Sequence, residues 1–223
     1  MPSSSRASSQ NSRSRPLASE YTRCQSSLKL GLKRHADIPG YAEDYAYLVF
    51  GLLELFSTDP DPAWLLWAIE LQERQDELFW DEENGGWFST SGQDPNILLR
   101  MKETYDGAEP TASALGAANL LKLSLLVDRP DWARRLERTF RLFGPTLEQQ
   151  GRAVPMAAGA LSTYYARPAH VVVVGGSDSA RALDTALSTH YLPHVVTQVV
   201  NEPQQRALAA VLPLVQAMVP VDG

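Results

Sequence analysis

The feature that most constrains the fold is a pair of neighbouring segments in which apolar residues recur at helical spacing. In the first segment the apolar positions repeat from Tyr45 to Phe56, and the stop signal STDP follows at 57–60. Asp61 then supplies an N-cap residue, followed by a proline in the first turn. A second stripe includes Trp64, Trp67, Ala68, Leu71 and Leu78. The spacing predicts helices over 42–58 and 62–79 that pair as an antiparallel hairpin.

Further helical patterns follow this hairpin. Apolar spacing predicts a third helix over 110–126, a fourth after Pro130 and a short fifth over 155–165. Gly144-Pro145 is expected to kink or end the fourth helix, because proline lacks the backbone N–H that the helix needs. The string FWDEENGGWF at 79–88 places Asn-Gly between aromatic residues, which predicts a small β-hairpin.

The C-terminal part has a different pattern. A continuous β-branched run at 170–174 is typical of a buried strand, a glycine turn and a helix over 178–190 follow, and 195–200 predicts a second strand. This order predicts a βαβ unit with parallel strands. Two strands are few for a free-standing sheet, so we expect further partners for it. The fold class predicted is mainly α with a small C-terminal βαβ unit.

The first 37 residues differ from the rest in composition. They are rich in serine and arginine, and residues 1–35 hold seven basic residues and a single acidic one, Glu20. Such a segment predicts a disordered tail, with a mitochondrial transit peptide as the alternative. We therefore divide the chain into a tail (1–37), helical hairpins (38–166) and a βαβ-containing segment (167–223), and expect cytoplasmic localisation, with the mitochondrion as the alternative.

Composition excludes several classes of function. The remainder of the chain carries 13 basic and 25 acidic residues, which argues against nucleic acid as a partner because phosphate needs compensating Lys or Arg. No apolar run reaches about 18 residues, so no membrane-spanning helix is expected. A single cysteine, Cys24, and four histidines leave little material for a metal centre, and the turn at 175–178 matches no phosphate-binding motif. We expect no metal and no cofactor.

Several short strings stand in a fixed order along the helical part. They are AEDYAY at 42–47, LFWD at 78–81, GGWF at 85–88, RMKETYDGAEP at 100–110 and ANLL at 118–121. Together they resemble the later part of the spermatogenesis-associated protein 20 family, the YyaL-like or DUF255 group, over residues 38–220.

The resemblance implies a fold and a possible chemistry. The family combines a thioredoxin-like domain with a helical barrel similar to six-hairpin glycosidases, and the chain matches only later hairpins of that barrel. The resemblance therefore implies a partial α/α (six-hairpin) barrel. The chain departs from the family pattern after Pro110, where TASA at 111–114 replaces the usual Ser-Gly-Asn-Ser.

The acidic motifs supply the candidate site. In a barrel of hairpins the inner helices begin at one rim, and paired carboxylates there act as general acid and base on a sugar when they lie about 5–10 Å apart. The candidate catalytic residues are Asp44, Asp106 and Glu109. The candidate substrate-binding residues are Glu43, Tyr45, Trp87, Arg100, Lys102 and Tyr105.

A structural interpretation of the same residues is open. Acidic side chains are favoured in the first turn of a helix by capping and by the helix dipole. The aromatic side chains are typical core residues, and Arg100 and Lys102 are expected to pair with Asp106 or Glu109 if they bind no anion.

Three functions follow as hypotheses. The first is a partial family member, a fragment or isoform, without independent catalysis, which exposes apolar flanks that a protein partner covers. The second is a carbohydrate-active or carbohydrate-binding barrel, with glycosidase- or epimerase-like activity. The third is a scaffold or regulatory protein in germ-cell differentiation, which rests on the family's name alone.

Overall fold

The computed structural model describes residues 39–93, 95–175 and 178–219, so the predicted tail lies outside the described residues. Eight α-helices and two strands follow one another in this part of the chain. They are α1 (Ala42–Thr58), α2 (Pro62–Phe79), α3 (Ala112–Leu126), α4 (Pro130–Gln150), α5 (Pro155–Tyr165), β1 (Ala169–Val174), α6 (Asp178–Ser188), β2 (Val195–Val200), α7 (Glu202–Leu208) and α8 (Pro213–Gln216). The prediction of a mainly α fold with a small C-terminal β unit is confirmed.

The predicted α1–α2 hairpin is present with the predicted bounds. The Asp61 carboxylate accepts a hydrogen bond from the Ala63 N–H (2.9 Å) and caps α2, whose first residue is Pro62. Leu53 and Phe56 of α1 and Leu65 of α2 are buried in one apolar cluster. Their burial fixes the hairpin and leaves the start of α1 free to meet the loops that follow α2.

The segment after α2 is a tight turn that forms the predicted small β-hairpin in its shortest version. A single antiparallel bridge joins Trp80 to Trp87, and their rings meet edge to face at 5.0 Å. Gly85 and Gly86 both have positive φ (78° and 73°), which only glycine adopts without strain. A Cβ on Gly86 would lie 2.6 Å from Leu142 Cδ2. The turn therefore packs closely against α3 and α4.

Helix α4 continues through Pro145 to Gln150, so the proline does not end it. The buried side chains of Trp132, Leu136 and Phe143 hold α4 against the core. Proline at this position removes one backbone N–H, and packing of the neighbouring Phe143 against Ala114, Val154 and Ala157 keeps the helix intact across it.

The C-terminal unit is the predicted βαβ unit. β1 and β2 pair in parallel with a continuous register from Ala169–Val195 to Val174–Val200. Val172, Val174 and Val200 pack against the main apolar cluster, to which Leu208 of α7 also belongs. The unit is thus attached to the hairpins through one face of its sheet.

Candidate functional site

The segments that carry the acidic motifs approach each other at the starts of α1 and α3. The Tyr47 hydroxyl of α1 donates a hydrogen bond to the Pro110 carbonyl oxygen (3.3 Å) at the start of α3. Burial raises the pKa of Tyr47, and the nearby carboxylates of Glu109, Asp106 and Glu43 raise it further. We call this group the acidic rim: Tyr47 with its neighbours Glu43, Asp106 and Glu109, and Asp44 and Glu103 next to Glu43.

Asp44 lies in the first turn of α1. Its Oδ2 accepts a hydrogen bond from the Tyr41 backbone N–H (2.8 Å), as in a capping box. The negative charge also lies at the N-terminal end of the helix, where the helix dipole favours it. The carboxylate predicted to be catalytic thus has a structural partner.

Asp106 is the most enclosed carboxylate of the acidic rim, with 7% of the residue exposed. Its Oδ1 accepts from the Thr111 N–H and its Oδ2 from the Met156 N–H, both at 3.0 Å. Its own N–H donates to the Ala153 carbonyl oxygen (2.8 Å). One side chain therefore connects the starts of α3 and α5.

Glu43 is half-buried beside the 89–90 loop. Its Oε1 accepts a hydrogen bond from the Ser89 hydroxyl (3.1 Å). Burial raises the pKa of the Glu43 carboxyl; Glu103 and Asp44 raise it further, and hydrogen bonds to its own backbone and to Ser89 act against the rise. This rise moves the pKa of Glu43 towards the range of a general acid.

Glu109 and Tyr105 extend into solvent. Tyr105 is 62% exposed and Glu109 is exposed as well. Both are therefore accessible to a ligand, and neither is held by the core.

Arg100 and Lys102 pair differently from what the sequence predicted. Arg100 donates through Nε to the Thr90 carbonyl oxygen (2.9 Å) and through Nη2 to the Leu78 carbonyl oxygen (3.0 Å). Lys102 Nζ binds Asp81 Oδ2 (2.5 Å) and not Asp106 or Glu109, so the predicted pairing is wrong. The reason is the tight turn after α2, which brings Asp81 within reach of Lys102.

Asp81 is the acidic residue of that turn, and it is buried. Burial alone would raise its pKa, but Lys102 and hydrogen bonds from the backbone N–H groups of Asn84 and Glu83 outweigh burial and hold the pKa well below its usual range. Sequence reasoning named Lys102 but missed this partner.

Tyr45 and Trp87 lie in the core, each 1% exposed. The Tyr45 ring packs 5.5 Å from that of Phe79, and Trp87 Nε1 donates to Asp76 Oδ1 (2.9 Å). Neither ring faces solvent, and their role in sugar stacking stays a prediction.

The polar cluster around Asp76 was missed by sequence reasoning. Asp76 accepts from Trp87 Nε1, Trp132 Nε1 (3.2 Å), Arg135 Nη1 (2.9 Å) and Gln72 Nε2 (3.0 Å). Burial raises the pKa of Asp76 to about 6, and Arg135 and the hydrogen bonds act against that rise. The available signal was Gln72, Gln75 and Asp76 at i, i+3 and i+4, which puts three polar residues on one face of α2.

An apolar groove of about 470 Å³ lies next to the acidic rim. It is bounded by Pro110 and Met156 on the rim side, by α3 and α5, and by His194 and Val196 near the start of β2. The predicted catalytic and binding residues do not line it.

Two searches bear on metals and membranes. Within residues 39–93, 95–175 and 178–219 no group of three or more His, Cys, Asp or Glu side chains is arranged to hold a metal ion. Across the same described helices, none is both long and apolar enough to cross a membrane.

Comparison with known proteins gives a consistent set of relatives. The chain is 32% identical to human spermatogenesis-associated protein 20 over 193 residues, which are 84% of this chain and 25% of that protein. The rat and mouse proteins of that name are 34% and 31% identical over 70% and 80% of the chain, and over 20% and 23% of their own lengths. No family model matches the chain. The chain thus spans at most a quarter of the curated relatives it matches, and over that region they support its relationship to the spermatogenesis-associated protein 20 family.

Proposed function

We propose that the chain supplies helical hairpins of a spermatogenesis-associated protein 20-like protein and has no independent catalytic activity. The observation that carries this proposal is the engagement of Asp106, whose two carboxylate oxygens accept backbone N–H groups at the starts of two helices. Asp44 accepts one backbone N–H, that of Tyr41, at the start of α1. The role of these carboxylates at helix starts explains the presence of the acidic motifs, so no catalytic role is needed to explain them. This holds whether or not the hairpins form part of an α/α barrel.

The experiment uses the full chain with Asp44→Asn and Asp106→Asn variants. Hydrolysis of aryl glycosides and epimerisation of amino sugars are assayed beside urea unfolding of each protein. We expect no turnover by the unaltered chain and a lower free energy of unfolding for Asp106→Asn. Turnover that disappears in both variants while their stability is unchanged would contradict the proposal and favour catalysis.

A second candidate function is carbohydrate binding at the acidic rim. The observation in its favour is that Tyr47 (36% exposed) and Tyr105 present rings to solvent beside the exposed Glu109 and the half-buried Glu43. Sugar hydroxyls donate hydrogen bonds to carboxylates, and their apolar faces pack on aromatic rings.

Calorimetry against mono- and oligosaccharides tests this second function. Glu43→Gln and Tyr47→Ala are expected to weaken sugar binding about tenfold each, because each removes a contact worth about 1 kcal/mol or more. Glu70→Gln and Tyr191→Ala, at exposed positions away from the rim, are the matched controls. No binding, or equal loss in the control variants, rules out the rim as a sugar site.

A protein partner is a third candidate, the scaffold function. The 97–101 loop exposes Leu98 (99%), Leu99 (75%) and Met101 (66%) next to one another. Clustered exposed apolar side chains favour protein contact. Pull-downs with Leu98→Ser/Leu99→Ser test this, since a partner that binds both proteins equally does not use the loop.

Cytoplasmic localisation, with the mitochondrion as the alternative, completes the proposal. Fusion of residues 1–35 to a fluorescent reporter decides between them. Mitochondrial import of the reporter would overturn the cytoplasmic assignment.

A further inference from the structure

The apolar groove beside the acidic rim runs along one side of α3. Ala118, Leu121 and Leu125 of that helix line it, and the helix rises about 10 Å between the first and the last of them. Residues of α5 line it as well, and two of these, Pro155 and Gly159, are exposed. A short apolar segment of chain can therefore lie in the groove from the solvent side.

One end of the groove continues into the acidic rim. Pro110 and Met156 line the groove, and the Met156 N–H donates to Asp106 of the rim. Glu103 and Glu109 of the rim are exposed. A cluster of carboxylates beside an apolar surface favours an occupant that carries positive charge next to apolar side chains.

The basic side chains close to this end leave most of the negative charge unbalanced. Lys122 lines the groove but forms an ion pair with Glu54 of α1. Arg152 precedes Ala153, whose carbonyl oxygen accepts from the Asp106 N–H, so it offsets one of the five carboxylates of the rim. The charge at this end therefore remains complementary to a basic occupant.

The sequence before the described residues contains a segment of this chemistry. Residues 28–34 read LKLGLKR and hold three of the four leucines of residues 1–37. Since side chains alternate along an extended chain, Leu28, Leu30 and Leu32 would share one face. An extended chain covers about 13 Å from residue 28 to residue 32, which is close to the length of the groove along α3. The basic pair at 33–34 follows directly.

The chain enters the described structure beside the rim. The Tyr41 N–H donates to Asp44, and Tyr47, about 9 Å further along α1, contacts Pro110 at the end of the groove. The seven residues from 33 to 39 can span about 23 Å, which is enough to bring Leu32 to that end. Attachment through so few residues gives an effective concentration on the order of millimolar, so a modest affinity is sufficient.

We propose that residues 28–32 of this chain lie extended in the apolar groove, with Lys33 and Arg34 on the acidic rim. The three leucines then leave water for the apolar side chains of α3 and α5, which is favourable in proportion to the apolar area removed from water. The two cations lie beside Glu103 and Glu109. The groove is thus an internal docking site, and any other ligand of the groove has to displace this segment.

Amide hydrogen exchange of the full chain tests the docking. After correction for the intrinsic rate of each sequence, amides of residues 28–34 should exchange at least about tenfold more slowly than those of residues 17–27, which serve as the internal reference. The difference should not depend on protein concentration, because the contact lies within one chain.

A substitution in the groove tests the place of docking. A Cβ on Gly159 meets no atom within 4 Å, so Gly159→Trp adds bulk to the groove without a clash, and α5 tolerates it because glycine is the weaker helix former. Gly51 of α1 is also exposed and also has nothing within 4 Å, which makes Gly51→Trp the matched control. We expect Gly159→Trp to bring exchange of residues 28–34 within about twofold of the reference and Gly51→Trp to leave it slow.

The charge contribution is tested in the double variant Glu103→Gln/Glu109→Gln. It should accelerate exchange of residues 28–34 at least about threefold, whereas Glu70→Gln/Glu148→Gln, at exposed positions of α2 and α4, should not. Several results would overturn the proposal: unprotected amides at 28–34 in the unaltered chain, protection that survives Gly159→Trp, or equal effects of the two double variants. Protection that rises with protein concentration would identify a second copy as the occupant and would overturn it as well.

Discussion

The carboxylate of Asp76 and the carboxylates of Asp44 and Asp106 accept their hydrogen bonds from different kinds of donor. Asp76 lies among two indole N–H groups, an amide and a guanidinium, all from side chains of α2, the tight turn and α4. Asp44 and Asp106 of the acidic rim accept mainly from backbone N–H groups at helix starts.

The difference separates two ways in which a carboxylate can hold a helical fold together. A carboxylate in the core joins helices through side chains, so its loss leaves several buried donors without an acceptor. A carboxylate at a helix start satisfies backbone groups that every helix leaves open, so its loss affects one or two helix ends. Four substitutions or conditions test this distinction.

Asp76→Ala is expected to have the largest effect. It leaves Arg135 and the two indole N–H groups without their acceptor, and breaking a buried pair by removing one partner costs about 3–5 kcal/mol. Urea unfolding measures the loss, with Glu70→Gln on the exposed face of α2 as the control, which should stay within about 0.5 kcal/mol of the unaltered chain. A loss below about 1 kcal/mol for Asp76→Ala would show that the cluster contributes little.

Asp106→Ala should lower the free energy of unfolding by about 2–3 kcal/mol, less than Asp76→Ala does. The reason is that it leaves two backbone N–H groups unpaired, at the starts of α3 and α5. The exposed Glu109 is three residues away, and Glu109→Gln is the control. Equal unfolding midpoints for Asp106→Ala and Glu109→Gln would show that Asp106 does not stabilise the acidic rim.

The pH dependence of stability should have opposite signs for Asp76 and Asp81. The folded-state pKa of Asp76 is raised from 3.8 to about 6, so the stability it contributes is complete below pH 3.8 and is lost as pH rises through about 6. The pKa of Asp81 is lowered, so its contribution is present above pH 3.8 and is lost as pH falls further.

Unfolding curves of Asp76→Asn and Asp81→Asn between pH 2.5 and 7 measure these contributions as differences from the unaltered chain. The difference for Asp76→Asn should shrink with rising pH, and that for Asp81→Asn should shrink with falling pH. Slopes of the same sign would contradict the assigned surroundings of one of the two residues.

Asp44→Ala should have the smallest effect, about 1 kcal/mol, because it removes one capping hydrogen bond and one favourable charge at the helix start. Amide hydrogen exchange at the start of α1 measures the loss, because it reports whether the first turn of the helix stays formed. Unchanged exchange there would argue against the capping role.

Local patterns in the sequence predicted much of the fold. Asp61-Pro62 and the apolar stripes beside it specify the α1–α2 hairpin, since both signals act within a few residues. The strands were predicted for the same reason, from β-branched runs. The small β-hairpin predicted at 79–88 from the local Asn-Gly signal is present with a single bridge, whereas the packing of Gly86 against Leu142, more than 50 residues away, had no local signal.

The site was predicted less completely for the same physical reason. Acidic residues at helix starts were found from sequence, because helix starts have a local signature. The partners of Lys102 and Asp76 were not, because Asp81 and Trp132 are brought to them by the packing of distant segments. The three polar residues on one face of α2, with Asp76 in its last turn, were the remaining signal.

The central claim is that Asp106 holds the starts of α3 and α5 together through two backbone amides. Amide hydrogen exchange at Thr111 and Met156, in the unaltered chain and in Asp106→Ala, tests it most directly. The account predicts that the substitution accelerates exchange at both amides at least about tenfold more than it accelerates exchange in the middle of α3, after correction for the change in global stability. Exchange at Thr111 and Met156 that changes no more than in the middle of α3 would contradict the claim.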